Sequence, residues 1–251
     1  MRRTLIGVAA VAAVSMITAS PALAVAHGTP AQPGQYRFAA KLVMTDIPRP
    51  DGSHYNSGCS GALLSPRWVI TAGHCFHDVN RVPISGPVPY PTTVTVDTVD
   101  VTRYPGQSVD VVSVQQAPAG DVALARLARP VFGVPTLGVS DDAPDLGSVV
   151  RIAGWGATSS VDPKPGLQLY TGQFTVSSVD TTTIGVDGYL PYPDTSACLY
   201  DSGAPYFVES SYGRPRLVSV ESDGPDCPHT GAETTARTDT LLEWIISTIW
   251  D

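Results

Sequence analysis

Residues 59–75 read CSGALLSPRWVITAGHC. A polar start gives way to an apolar run around Trp68, and the run breaks at a tight Ala-Gly-His-Cys turn. Such a run, β-branched and closed by small residues, reads as a strand delivering His74 to a packed turn. The other histidines, His27, His54, His77 and His229, lack a setting that would bury and fix an imidazole.

Outward from this stretch, short alternating runs recur along the chain, among them KLVMT, TVTVDTVDV, VDVVSV, VALARL, VVRIAG, FTVSSV and RLVSVES. Turn-forming clusters such as PRPDGSHYNSG, SGPVPYP and DPKPG separate them. Strands at this spacing predict an antiparallel sandwich or barrel rather than a parallel sheet with crossover helices. One helix is predicted, in TDTLLEWIISTIWD (238–251), where Thr240 and Glu243 have capping-box spacing and Leu241, Ile245 and Ile249 form a docking stripe. No internal repeat is visible. The Pro-rich stretch 128–135 reads as the crossover between two halves.

The first 24 residues look like a secretory signal peptide: a basic MRRT, an uncharged apolar run, and Ala22-Leu23-Ala24 as a small-x-small cleavage site. The apolar run is too short and Ala-rich for a comfortable membrane span. Removing it takes away Arg2 and Arg3 and moves the formal charge from −8 to −10. An acidic chain without a basic stripe excludes nucleic acid as a partner class. Four cysteines in an exported chain predict two disulfides, and spacing alone leaves all three pairings open. A metal site from Cys59, His74, Cys75 and His77 is the competing reading, but it lacks paired ligand spacing.

Serine nucleophiles need a base within hydrogen-bond reach and an acid to orient it. Ser202 lies in CLYDSGAP (198–205), His74 is the base candidate, and acid candidates are Asp97, Asp100, Asp110 and Asp121. Asp121 opens the apolar run DVALARL, so its carboxylate would sit at the edge of a packed core.

These segments resemble those of trypsin-like (chymotrypsin-fold) serine peptidases of the secreted bacterial kind. CSGALLSPRWVITAGHC resembles the histidine segment, GDVALARL the aspartate segment, RIAGWG the interdomain Trp-Gly segment, and CLYDSGAP the serine segment. They stand in the family's order, and the likeness runs from about Val25 to the terminal helix. It implies an all-β fold: two packed six-stranded antiparallel β-barrels, about 25–132 and 133–237, with a C-terminal α-helix at about 238–251. It further implies a secreted, monomeric serine endopeptidase acting on protein or peptide substrates. Nothing in the sequence argues for an organic cofactor or for stable membrane association after signal cleavage, and no carboxylate cluster is dense enough to claim the calcium loop that the family can carry, so no metal is expected. A lipase or esterase reading lacks the G-x-S-x-G elbow. A non-catalytic homologue that binds a protein or surface is the remaining alternative.

The resemblance assigns roles residue by residue. Ser202 would attack, His74 would take its proton, and Asp121 would orient the imidazole. The backbone N–H groups of Tyr200 and Ser202 would face the oxyanion. Cys59 would pair with Cys75 and Cys198 with Cys227. A new N-terminus at Val25, freed by signal peptidase, would place its ammonium beside Asp201. In the specificity pocket, Ser196 stands where trypsins carry an aspartate. SVES (219–222) falls where the family lines the pocket wall with Ser-aromatic-Gly, which would put Val220 and Glu221 in that wall. The chain departs from the family at Tyr200 and Ala204, where glycine is usual.

Overall fold

In a computed structural model, residues 24–209 and 214–250 are described. The predicted signal peptide lies outside them except for its last residue, Ala24. Two closed six-stranded antiparallel barrels lie in series, followed by one helix. The first is built from β1 (Ala39–Pro48), β2 (His54–Ser65), β3 (Trp68–Thr71), β4 (Thr92–Val96), β5 (Gln107–Gln116) and β6 (Ala123–Leu127). The second is built from β7 (Val149–Gly154), β8 (Tyr170–Val179), β9 (Thr183–Leu190), β10 (Pro205–Val208), β11 (Arg216–Asp223) and β12 (Glu233–Arg237).

The pairings trace the same ring twice. In the first barrel β1 pairs β2 and β4, β3 pairs β2 and β6, and β5 pairs β4 and β6. In the second, β7 pairs β8 and β10, β9 pairs β8 and β12, and β11 pairs β10 and β12. The barrels thus repeat one topology, although the sequence shows no repeat. Strand pairing needs only alternating burial and turns at matching intervals, which many unrelated sequences supply.

Burial explains individual strands. All four residues of β3 are buried, whereas β6 turns only Arg126 outward. In β5, alternation buries Val109 and Val111, then a bulge against β6 shifts the phase and buries Val114 instead of Ser113. The extra residue moves the inward side by one, as bulges do. Burying each such side chain contributes about 1.5–3 kcal/mol.

The expected boundaries shift at three places. Residues 25–38 do not enter the first barrel: Thr29–Pro30 pairs with β8 of the second, so the N-terminal segment crosses the seam. The terminal helix is shorter than 238–251. A 3-10 turn at Asp239–Leu241 precedes α1 (Leu242–Trp250), and the Thr240–Glu243 capping pair does not cap it. Packing of Leu241 and Ile245, both buried, anchors it instead. The link between barrels is longer than 128–135 and runs to residue 148, with Gly138–Val139 laid parallel on β11.

Candidate active site

The turns that end and begin packed strands project into the seam between the barrels. Trp68–Thr71 is fixed on both sides by β2 and β6, so the one-turn 3-10 helix Gly73–Cys75 that follows it is held rigidly. Gln116 clamps that helix from outside, its Nε2 donating to Gly73 O at 2.9 Å and Phe76 O at 3.2 Å. Asp121 enters from the turn before β6. Its Oδ1 accepts the backbone N–H of His74 at 2.8 Å, and its Oδ2 lies 2.7 Å from His74 Nδ1.

A third donor comes from the second barrel: Ser222 Oγ, in β11, donates to Asp121 Oδ2 at 2.7 Å. Burial works to raise the Asp121 pKa, but the His74 hydrogen bond and charge and the Ser222 hydroxyl hold it below its ordinary value. A carboxylate this well served stays ionised and fixes its imidazole neighbour. The other histidines lie apart from this cluster: His27 meets Asp194, His54 meets Asp46, and His77 Nδ1 meets Asp78 O.

Ser202 is carried on the loop before β10. That loop is stitched to the first barrel by Ser60, whose N–H donates to Ser202 O at 2.9 Å and whose Oγ donates to Tyr200 O at 3.1 Å. The same Oγ accepts the Trp155 N–H at 2.9 Å. Among the described residues Ser202 Oγ has no hydrogen-bond partner, and the N–H groups of Tyr200 and Ser202 donate to no backbone oxygen. Catalytic hydrogen bonds are often long in a free enzyme.

Glycine is required at 203. Its φ is +82°, and a Cβ there would overlap Thr71 Oγ1 and meet Ala72 N and Ser60 O at 2.5 Å. Tyr200 adopts the same left-handed region, with φ +75°, at a cost of about 1–2 kcal/mol for a residue with a Cβ. Its hydroxyl donates to Pro163 O at 3.4 Å.

Asp201 is fully buried. It accepts the N–H of Gly156 at 2.7 Å and of Cys198 at 3.1 Å, and the backbone of Val25 lies close enough to favour its charged form. A Cβ on Gly154 or Gly156 would overlap this carboxyl, so the Gly-Trp-Gly run makes its berth. Lys41, itself buried, donates to Gly166 O, lies 5.5 Å from the Trp155 ring centre, and supplies the nearest positive charge. Burial pushes Asp201 up to about 7 and Lys41 down to about 8.

Disulfides join Cys59 to Cys75 beside His74 and Cys198 to Cys227 across a cavity next to Ser202. With both sulfurs bonded, the alternative set Cys59, His74, Cys75 and His77 has no thiolate to offer a metal. The cavity measures about 190 Å³, and Ser222, Asp223 and Gly224 form part of its wall.

That wall corrects the expected register by three residues. The serine of the wall is Ser222, not Ser219, and the Ser-x-Gly spacing of SDG (222–224) carried the signal. Val220 turns into the core instead of the pocket. Ser196 is fully buried, its Oγ accepting the His229 N–H at 3.3 Å, and does not line the cavity. Glu221 does line it, buried and hydrogen-bonded by Tyr206 Oη at 2.9 Å. Sequence reading missed Ser60, Lys41, Ser222 and Glu233, whose roles depend on contacts between distant segments.

With the geometry in place, comparison with known proteins is direct: the family profile described as Trypsin matches residues 25–245. The chain belongs to the trypsin family. Curated relatives agree. The chain is 28% identical to glandular kallikrein of Sus scrofa over 179 residues, covering 61% of this chain and 71% of that protein. It is 29% identical to brachyurin of Leptuca pugilator over 164 residues, covering 59% and 69%. It is 26% identical to transmembrane protease serine 5 of Homo sapiens over 256 residues, covering 89% of this chain and 51% of that protein. These relatives are animal proteins, so they support the trypsin family and not the narrower bacterial branch. Among the described residues no helix of this trypsin-family chain is long and apolar enough to cross a membrane.

Proposed function

We propose that this chain is a secreted serine endopeptidase in which Ser202, His74 and Asp121 hydrolyse peptide bonds of protein substrates. The observation that carries the reading is the Asp121 carboxylate, held by donors from both barrels at 2.7–2.8 Å and set against His74 Nδ1. An acceptor on Nδ1 fixes the proton there and leaves Nε2 free as a base.

The reaction follows from these roles. Ser202 Oγ attacks the scissile carbonyl while His74 Nε2 removes its proton, and the Tyr200 and Ser202 N–H groups receive the oxyanion. Each such donor is worth roughly 3–4 kcal/mol in the transition state. His74 returns the proton to the leaving amine, giving an acyl-enzyme and a free amine product. Water then attacks the ester with His74 again as base, releasing the acid product and restoring Ser202.

Cleavage after Ala24 would turn the Val25 amide, which already lies beside Asp201, into an ammonium near the same carboxyl. Ala24, Val25 and Ala26 are each fully buried, so this cut is expected before folding closes over it. The freed chain is expected to act as a monomer.

An organophosphonate probe tests the reading. Expected is a covalent adduct on Ser202 that His74→Ala removes. A folded protein beginning at Val25 that gives no adduct overturns it and favours the non-catalytic binding module.

A further inference from the structure

The cavity beside Ser202 is closed by a residue from outside the expected pocket set. Glu233, at the start of β12, is 1% exposed and reaches across to the opposite wall. Its Oε1 accepts the Ala197 N–H at 2.6 Å. Its Oε2 lies where a Cβ on Gly224 would overlap it, so the glycine in the wall is what admits the carboxyl. Among the described residues nothing donates a hydrogen bond to Oε2. A buried carboxyl with one oxygen satisfied and the other facing a cavity needs a donor from whatever enters.

The surrounding charge decides what that donor is. Asp223 lines the same cavity from β11 next to Glu221, whose carboxyl burial holds well above its ordinary pKa; Asp226 lies on the loop beyond, and no Lys or Arg is among the lining residues. Asp201 adds its field from the serine loop. The nearest base is His229, whose Nε2 stands 3.1 Å from Oε1 without hydrogen-bond alignment. Its Nδ1 faces Gly231 O at 3.0 Å, which holds the ring proton on that side, and burial keeps its pKa below the ordinary value. Neutral His229 therefore turns a lone pair toward Glu233 and cannot serve as its counter-ion.

We propose that Glu233 is the specificity-determining residue of this pocket and selects substrates with a cationic side chain, lysine or arginine, on the acyl side of the scissile bond. The substrate class rests on the endopeptidase reading; the pocket's affinity for a cation does not. In the empty pocket the carboxyl keeps its proton, burial and the Asp201 and Asp223 charges having pushed it up to about 8. An entering ammonium or guanidinium replaces that proton, which leaves to solvent, and a charge-assisted hydrogen bond forms to Oε2.

Two measurements test this. The first is binding of benzamidine, a small guanidinium-like cation, to a Ser202→Ala variant by calorimetry in buffers of different ionisation enthalpy. Expected is saturable binding with close to one proton released at pH 7, and at least tenfold weaker binding in Ser202→Ala/Glu233→Gln. The second is kcat/KM on peptides differing only at the acyl-side residue. Expected is a preference for Lys or Arg over Leu of at least tenfold at pH 8.5. Glu233→Gln is expected to remove that preference.

Binding without proton release, or a wild-type preference for neutral or acidic side chains, overturns the proposal without reference to any variant. Benzamidine binding in a protein that never hydrolyses peptides leaves the pocket assignment standing and removes the endopeptidase reading. Hydrolysis indifferent to side-chain charge does the reverse.

Discussion

At the scale of single residues, the serine loop separates what a side chain does from what its backbone must do. Gly203 and Tyr200 both occupy left-handed backbone, but only Gly203 is enclosed on the side where a Cβ would grow. Gly203→Ala therefore combines conformational strain with a clash against backbone atoms that cannot swing away. The expected loss is at least about 3 kcal/mol of stability, read from the shift in urea midpoint. Tyr200→Gly is expected to change stability by less than about 1 kcal/mol, because relief of strain is offset by greater freedom of the unfolded chain. It keeps the N–H, so labelling of Ser202 by the organophosphonate should persist. Tyr200 was legible in the sequence as a departure from glycine. Glu233 and Lys41 were not, since an acid or a base read along one strand gives no sign of the wall it faces across a barrel.

At the scale of elements, each barrel strand was visible through its alternation, and the errors fall where local pattern loses its grip. The wall register slipped by three because RLVSVESD keeps its apolar and small residues in step through a bulge between Glu221 and Asp223. The helix began late because burial of Leu241 and Ile245, rather than side-chain capping, sets where the chain winds. Ile245→Ala should accordingly cost about 2–4 kcal/mol, with Thr240→Ala within about 0.5 kcal/mol, both by chemical denaturation. The Cys59–Cys75 disulfide closes a loop of 16 residues around the strand that delivers His74. Loop-closure entropy puts the double Cys→Ala variant about 3 kcal/mol below the parent. Since that loop also carries β3, labelling of Ser202 should slow in this variant before the fold is lost.

At the scale of the whole molecule, two barrels of one topology meet at a seam that collects buried acids, and this sets how stability answers pH. Asp201 and Glu233 hold their protons in the folded state up to about 7 and about 8, whereas unfolded they release them near 3.8 and 4.5. Between those limits the folded chain binds more protons than the unfolded one, so stability falls as pH rises from about 4.5 to 8. The slope is on the order of 1 kcal/mol per pH unit for each group. Lys41 acts in the opposite sense at higher pH: burial lowers it to about 8 from 10.5, so the folded chain binds fewer protons above 8 and part of the loss returns. An ammonium at Val25 would change one of these contributions and not the other. Paired with that charge, Asp201 would stay ionised through the range, leaving Glu233 and Glu221, whose carboxyl burial also holds well above its ordinary value, to be titrated. Urea midpoints at pH 5, 6.5 and 8 should therefore fall less steeply for a chain beginning at Val25 than for one that retains residues before it. Glu233→Gln in the chain beginning at Val25 should flatten the profile further. Equal slopes for the two chains would mean that the new terminus never reaches Asp201.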